Sequence, residues 1–249
     1  MKYLVLVLTT TISSFSCFAQ SLPLPNAVQF EGIPKDVTEI VAGGEEGLPD
    51  VTIITRLHPI GWSKDGKLAY VSSSSRASRN GFCLQVYIQD MVSDKILWSS
   101  SLCADDVEKN EKKARALSAA DIWAKMGAES TQMLVKYRII PSEKIDFRRG
   151  DWHRLNGQAY KFDLIDNVAD GEGGFLFQVE CRAKGMGKKM VMEGAIGAMF
   201  TDIAVAGIIT SPYEDRVAII YQFTEGGHEN HSSLSDFEIT GCHLKQGFK

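Results

Sequence analysis

Ile60-Gly61-Trp62-Ser63-Lys64-Asp65-Gly66-Lys67-Leu68-Ala69-Tyr70-Val71 is the stretch on which the fold turns. Asp65-Gly66 suits the left-handed backbone of a tight turn, so the chain reverses there between two strands. Beyond the turn Leu68 and Tyr70 alternate with Ala69 and Val71, and both sets are apolar. A strand of that kind packs on both of its faces. Outward from it, residues 51–57 before and 82–89 and 95–101 after show the same β-rich runs, and residues 37–42 form one more such run upstream. The polar tract at 72–81, with its serines and two arginines, reads as a solvated turn.

The strand rhythm stops at 105–137, where Glu, Lys, Arg and Ala dominate and Ala116, Leu117, Ala120, Trp123 and Ala124 recur at helical spacing. These residues are expected to form a helical insertion that covers a sheet, with Gly127 separating a second short helix at 129–137. Strands resume at 159–165, 174–182 and 188–192, then at 203–209, 216–223 and 237–244, giving about eleven in all. Strand and helix do not alternate, which disfavours a Rossmann or TIM architecture. The expected fold class is mainly β: an antiparallel meander, built as a partial propeller or as a two-sheet sandwich, with one helical insertion.

The quoted stretch, continued by Leu84-Gln85-Val86-Tyr87-Ile88-Gln89-Asp90 and Lys95-Ile96-Leu97-Trp98, resembles a WD40-like repeat of the TolB β-propeller type. Ser63, Asp65, Gly66, Lys67, Leu68, Ala69, Tyr70 and Asp90 stand where that repeat has its turn, its strand and its closing Asp. A degenerate copy at 209–220 keeps Ser211, Pro212, Arg216, Val217 and Ala218, with Asp215 in place of the turn glycine. The two copies together cover about a quarter of the chain, short of the four or more blades a propeller needs. The resemblance implies a scaffold for protein contact, or an accessory domain.

Of the 249 residues, 44% are apolar and 23% charged, which excludes whole-chain disorder, and the net charge of −4 gives no electrostatic hold on nucleic acid. Residues 1–19 read as a secretory signal: Lys2, an apolar run, then Cys17 and Ala19 at the positions preceding a cut before Gln20. A lipid anchor on Cys17 is the lesser alternative, since Ser14 stands where a lipobox has an aliphatic residue. Residues 20–36 form an extended arm, and 37–249 a single mostly-β domain. The expected location is therefore periplasmic or secreted, without an integral membrane span. Removal of the leader leaves Cys83, Cys103, Cys181 and Cys242, an even set suited to an oxidising compartment. Strands at 82–89 and 95–101 about a turn at 92–94 place Cys83 opposite Cys103, leaving Cys181 for Cys242.

Motifs for chemistry are sparse. His228, Glu229 and His231 combine imidazoles and a carboxylate in a Gly-rich loop, but not at the spacing of a helical metalloprotease. His58, His153 and His243 are scattered and read as surface or half-buried. There is no Gly-x-Ser-x-Gly elbow and no phosphate loop. The sequence therefore points to a non-catalytic binding or envelope-associated protein, needing no cofactor or metal and meeting an unknown protein or envelope component. The alternative is a small hydrolase using the acidic and histidine-bearing loop at 228–231.

Overall fold

A computed structural model describes residues 22–30, 53–76, 81–104, 118–150, 152–169, 175–196, 202–224 and 234–249. The leader, residues 37–42 and the first part of the helical insertion lie outside these. The fold is mainly β and forms three antiparallel groups that stack in layers.

The first group is β1 (Ile53–Trp62), β2 (Lys67–Arg76), β3 (Gly81–Asp90) and β4 (Lys95–Cys103), a meander carrying the quoted repeat. The polar tract is less of a turn than its composition suggests, because β2 continues through Ser72–Ser75 and pairs there with both β1 and β3. Backbone pairing on both sides overrides the low strand preference of serine. A short β5 (Ile140–Pro141) lies on β1. The second group is β11 (Asp202–Thr210), β12 (Arg216–Thr224) and β13 (Leu234–His243), with β6 (Phe147–Arg148) on the far side of β11. The third is a four-stranded sheet in the order β10-β9-β8-β7, comprising β7 (Trp152–Leu155), β8 (Gln158–Ala169), β9 (Phe175–Ala183) and β10 (Gly187–Ile196).

The first two groups join through one parallel contact, Ile53 with Leu234 and Ile54 with Ser235, so the meander is not wholly antiparallel. Beyond that contact β1 and β13 diverge and the halves of the nine-stranded sheet face each other. Leu57, Trp62, Leu68 and Tyr70 meet Ile209, Ala218, Ile220, Phe237 and Ile239 across this interface. The opposite face of the first group, with Ala69, Val71, Leu84, Val86 and Ile88, lies under the helix. The double-sided packing read from residues 68–71 is thus what the fold does. A third core joins Phe162, Phe177, Val179 and Cys181 of the four-stranded sheet to Val217, Ile219, Tyr221 and Cys242 of the second group. In β12, odd positions 217–223 enter that core while Ala218 and Ile220 enter the other, so its apolar residues show no alternation with polar ones.

One helix, α1 (Ala119–Lys136), occupies the described part of the insertion, and it is continuous through Gly127, which is buried. Ser118 caps it: its hydroxyl accepts from the Asp121 amide at 3.2 Å, and its own amide donates to the Asp121 carboxylate at 2.9 Å. The buried face is Ile122, Trp123, Met126 and Leu134, and Ala120 and Ala124 are exposed. The larger side chains bury more apolar area than the alanines and set the rotation of the helix.

Candidate functional site

The repeat-turn residues come together as structure. Ser63 is fully buried, its amide donates to the Lys67 carbonyl at 2.8 Å, and its hydroxyl accepts from the Lys67 amide at 2.8 Å. Asp65 pairs with Lys67, and this contact, followed by the one with Ser63, holds its carboxyl below the usual range. The Asp90 carboxylate closes the next turn by accepting from the Val92 amide at 2.9 Å and the Ser93 hydroxyl at 3.0 Å. At the degenerate copy the Ser211 amide donates to the Arg216 carbonyl at 3.0 Å, which repeats the Ser63 pattern, and Pro212 sits exposed in that turn. The two turns are neighbours: a methyl group on Gly66 would lie 2.5 Å from Glu214 Oε1. Arg216 ties its own turn to the next one, with Nε donating to Glu214 at 2.9 Å and Nη1 to the Met91 carbonyl at 2.8 Å, and the Met91 amide donates to the Gly66 carbonyl at 3.0 Å.

Cys83 and Cys103 form a disulfide between directly paired positions of β3 and β4, with Cα atoms 4.1 Å apart. Cys181 and Cys242 keep free, buried thiols. His228, Glu229 and His231 lie outside the described residues. His58 and His153 are buried, more deeply than the surface or half-buried setting read from the sequence, because each sits on an inward-facing position of its strand. Among the described residues no group of three or more His, Cys, Asp or Glu is placed to hold a metal ion, and no helix is long and apolar enough to cross a membrane.

The arrangement with the most chemical character is one that reading for motifs misses. A cavity of about 380 Å³ opens between β13 and strands β2, β3 and β4, and Tyr70, Tyr87, Phe237, Asp94, Asp236 and Glu238 line it. The Tyr70 and Tyr87 rings stack with centroids 5.0 Å apart, and Phe237 meets Tyr70 edge-on at 6.3 Å. Side chains, rather than another strand, satisfy part of the open edge of β13. Gln89 Nε2 donates to the Ile239 carbonyl at 2.9 Å, and Asp94 Oδ1 accepts from the Gly241 amide at 2.7 Å. The Tyr70 hydroxyl donates to Gln89 Oε1 at 2.9 Å, which fixes that amide.

Asp236 and Glu238 remain reachable from solvent at the mouth. The concave protein wall still removes enough water to push both carboxyls above their ordinary range, and the charge of Asp236 adds to the shift of Glu238. No basic side chain among the described residues forms an ion pair with either. A negative, aromatic-walled recess of this kind favours a cationic group. The larger cavity, of about 800 Å³, lies between residues 22–28 and the β1–β5 edge, and Glu143 is the one ionisable side chain lining it.

The strand pattern alone placed Tyr70 and Tyr87 in strands. What signalled the site was the alternation Asp236-Phe237-Glu238-Ile239, two acids on one parity of a strand. Comparison with protein-family models, curated proteins and solved structures finds no significant match to this chain.

Proposed function

We propose that this is an exported, non-catalytic binding protein that uses its layered β scaffold to present the cavity of Tyr70, Tyr87, Asp236 and Glu238 to a cationic group on an envelope component or protein partner. The observation that carries the reading is the pair of solvent-reachable carboxylates without a basic partner among the described residues, beside stacked tyrosines. Desolvated carboxylates on a rigid sheet are costly to the fold, and a bound cation offsets that cost. The meander β1–β4, which carries the residues resembling a TolB-type repeat, supports a scaffold role. The Cys83–Cys103 disulfide and the absence of a membrane-crossing helix among the described residues are compatible with export. No observation favours the hydrolase reading, since its loop lies outside the described residues.

Titration of the full chain with tetramethylammonium and butylammonium, with butanol and butyrate as controls, tests this by amide chemical shifts. The cations should move the Tyr87 and Glu238 resonances, and an Asp236→Asn/Glu238→Gln double variant should bind them at least ~10-fold more weakly, about 1.4 kcal/mol. An equal response to all four probes, or undiminished affinity in the double variant, overturns the proposal.

A further inference from the structure

Cys181 lies in β9 and Cys242 in β13, on opposite sides of the core that joins the four-stranded sheet to the second group. Both are buried in that one core, and the Cys242 sulfur lies 3.9 Å from the His243 carbonyl oxygen. No other covalent link between these sheets exists among the described residues. Lys189 of β10 pairs directly with Cys181 across the sheet, and its ammonium reaches the Cys242 end of β13. There it donates to the carbonyls of His243 and Gln246, the second at 2.8 Å.

We infer that Cys181 and Cys242 close a second disulfide, one that clamps the four-stranded sheet to the rest of the molecule, and that Lys189 positions and activates Cys242 for this step. Cys181 pairs with Lys189, whose ammonium reaches the carbonyl of His243, the residue after Cys242, so facing layers of one core bring the two cysteines to the same place, the arrangement that bridging requires. Contact with Cys181, aided by the Lys189 ammonium, lowers the Cys242 thiol below its ordinary value, while the same contact and burial push the Cys181 thiol up. The Lys189 ammonium at the Cys242 end of β13 favours the Cys242 thiolate as the sheets come together, so Cys242 attacks first.

The oxidant is a small-molecule disulfide. Cys242 gives its proton to solvent, and its thiolate attacks one sulfur of the oxidant, expelling the other half as a thiolate and forming a mixed disulfide. Cys181 then loses its proton and displaces the second half from the Cys242 sulfur. Two protein thiols are oxidised to one disulfide, the oxidant is reduced to two thiols, and no other electron carrier takes part. Because both sulfurs are covered in the finished fold, the reaction belongs to the moment when the two sheets close on each other.

The test is refolding of the reduced full chain with oxidised glutathione, followed by alkylation in denaturant and non-reducing peptide mapping. A cross-linked Cys181–Cys242 peptide should accompany Cys83–Cys103. Relative to a Cys181→Ala/Cys242→Ala variant, oxidised protein should melt roughly 10 °C higher, on the scale of typical disulfide stabilisation for a chain of this size. A Lys189→Met variant should form the same link more slowly, with Cys83–Cys103 formation unchanged. Alkylated Cys181 and Cys242 in protein whose Cys83–Cys103 bond has formed, or pairing of either with Cys83 or Cys103, overturns the inference. Mapping uses the wild-type chain, so it decides the matter even where the alanine variant does not fold.

Discussion

At Gly66 the backbone takes φ +85°, and an added Cβ would come within 2.5 Å of Glu214 Oε1; at Gly157 φ is +81° and nothing lies within 4 Å. The two glycines share a conformational demand and differ in crowding, so they separate backbone strain from steric cost. Gly157→Ala should lose about 1 kcal/mol of unfolding free energy, the left-handed penalty alone. Gly66→Ala should lose roughly 2–4 kcal/mol, because Glu214 must move away from Arg216. Urea denaturation midpoints of the two variants check this, and equal losses would mean that the turns are not packed together. The turn role of Asp65-Gly66 was legible from the dipeptide. Its contact with the degenerate copy at 211–216 was not, since 140 or so residues of intervening chain decide which turns become neighbours.

The arm at 22–30 shows how an element without secondary structure is held. Val28 donates its amide to the Leu57 carbonyl at 2.9 Å, Trp123 Nε1 donates to the Leu22 carbonyl, and Phe30 enters the core between the facing halves. His58 is the polar latch: it lies 2.8 Å from the Pro25 carbonyl through Nδ1 and 2.8 Å from Ser73 Oγ through Nε2. A carbonyl only accepts, so Nδ1 carries the proton and Nε2 receives the Ser73 hydroxyl. Burial lowers the His58 pKa, and the Arg56 charge adds to this, against the opposing bond to Pro25. A depressed histidine contributes stability that is present above its unfolded value of about 6.5 and is lost as pH falls through the folded value. Hydrogen exchange at the Val28 amide, corrected for intrinsic rate, should therefore lose protection on acidification from pH 7.5 to about 5.5. A His58→Asn variant should show no such pH dependence, and pH-independent protection in the wild type would remove His58 from this role. Long apolar strands were legible at this scale. The pairs Ile140–Pro141 and Phe147–Arg148 were not, because two residues carry no periodicity and only the neighbouring edge makes them strands. The β7–β8 hairpin did carry a local signal, Asn156-Gly157, with φ 48° and 81°.

Across the whole molecule the layers run helix, first group, second group, four-stranded sheet, and β12 lies in the middle of the stack. From Arg216 to Phe223 every residue of it is buried. Ile219 faces the core shared with the four-stranded sheet and is fully buried, as is Ile220 on the opposite face. Ile219→Ala should cost about 2–5 kcal/mol, the range for emptying a rigid core site. The loss should appear as a single cooperative transition in denaturant, because the central strand belongs to both interfaces. Two separate transitions in that variant would show that the four-stranded sheet unfolds on its own.

Composition and strand periodicity by themselves determined the β class, the one helical interruption, the turn at 65–66 and the facing of Cys83 and Cys103. All of these depend on residues close in the chain, where local backbone preference and cross-strand register decide the outcome. The stacking of the layers, the cavity beside β13, the burial of His58 and the core that takes in both Cys181 and Cys242 were decided by tertiary structure. Each needs segments tens to hundreds of residues apart to choose a common face. That choice follows from the total apolar area buried by the packed layers, a quantity no single stretch of sequence contains.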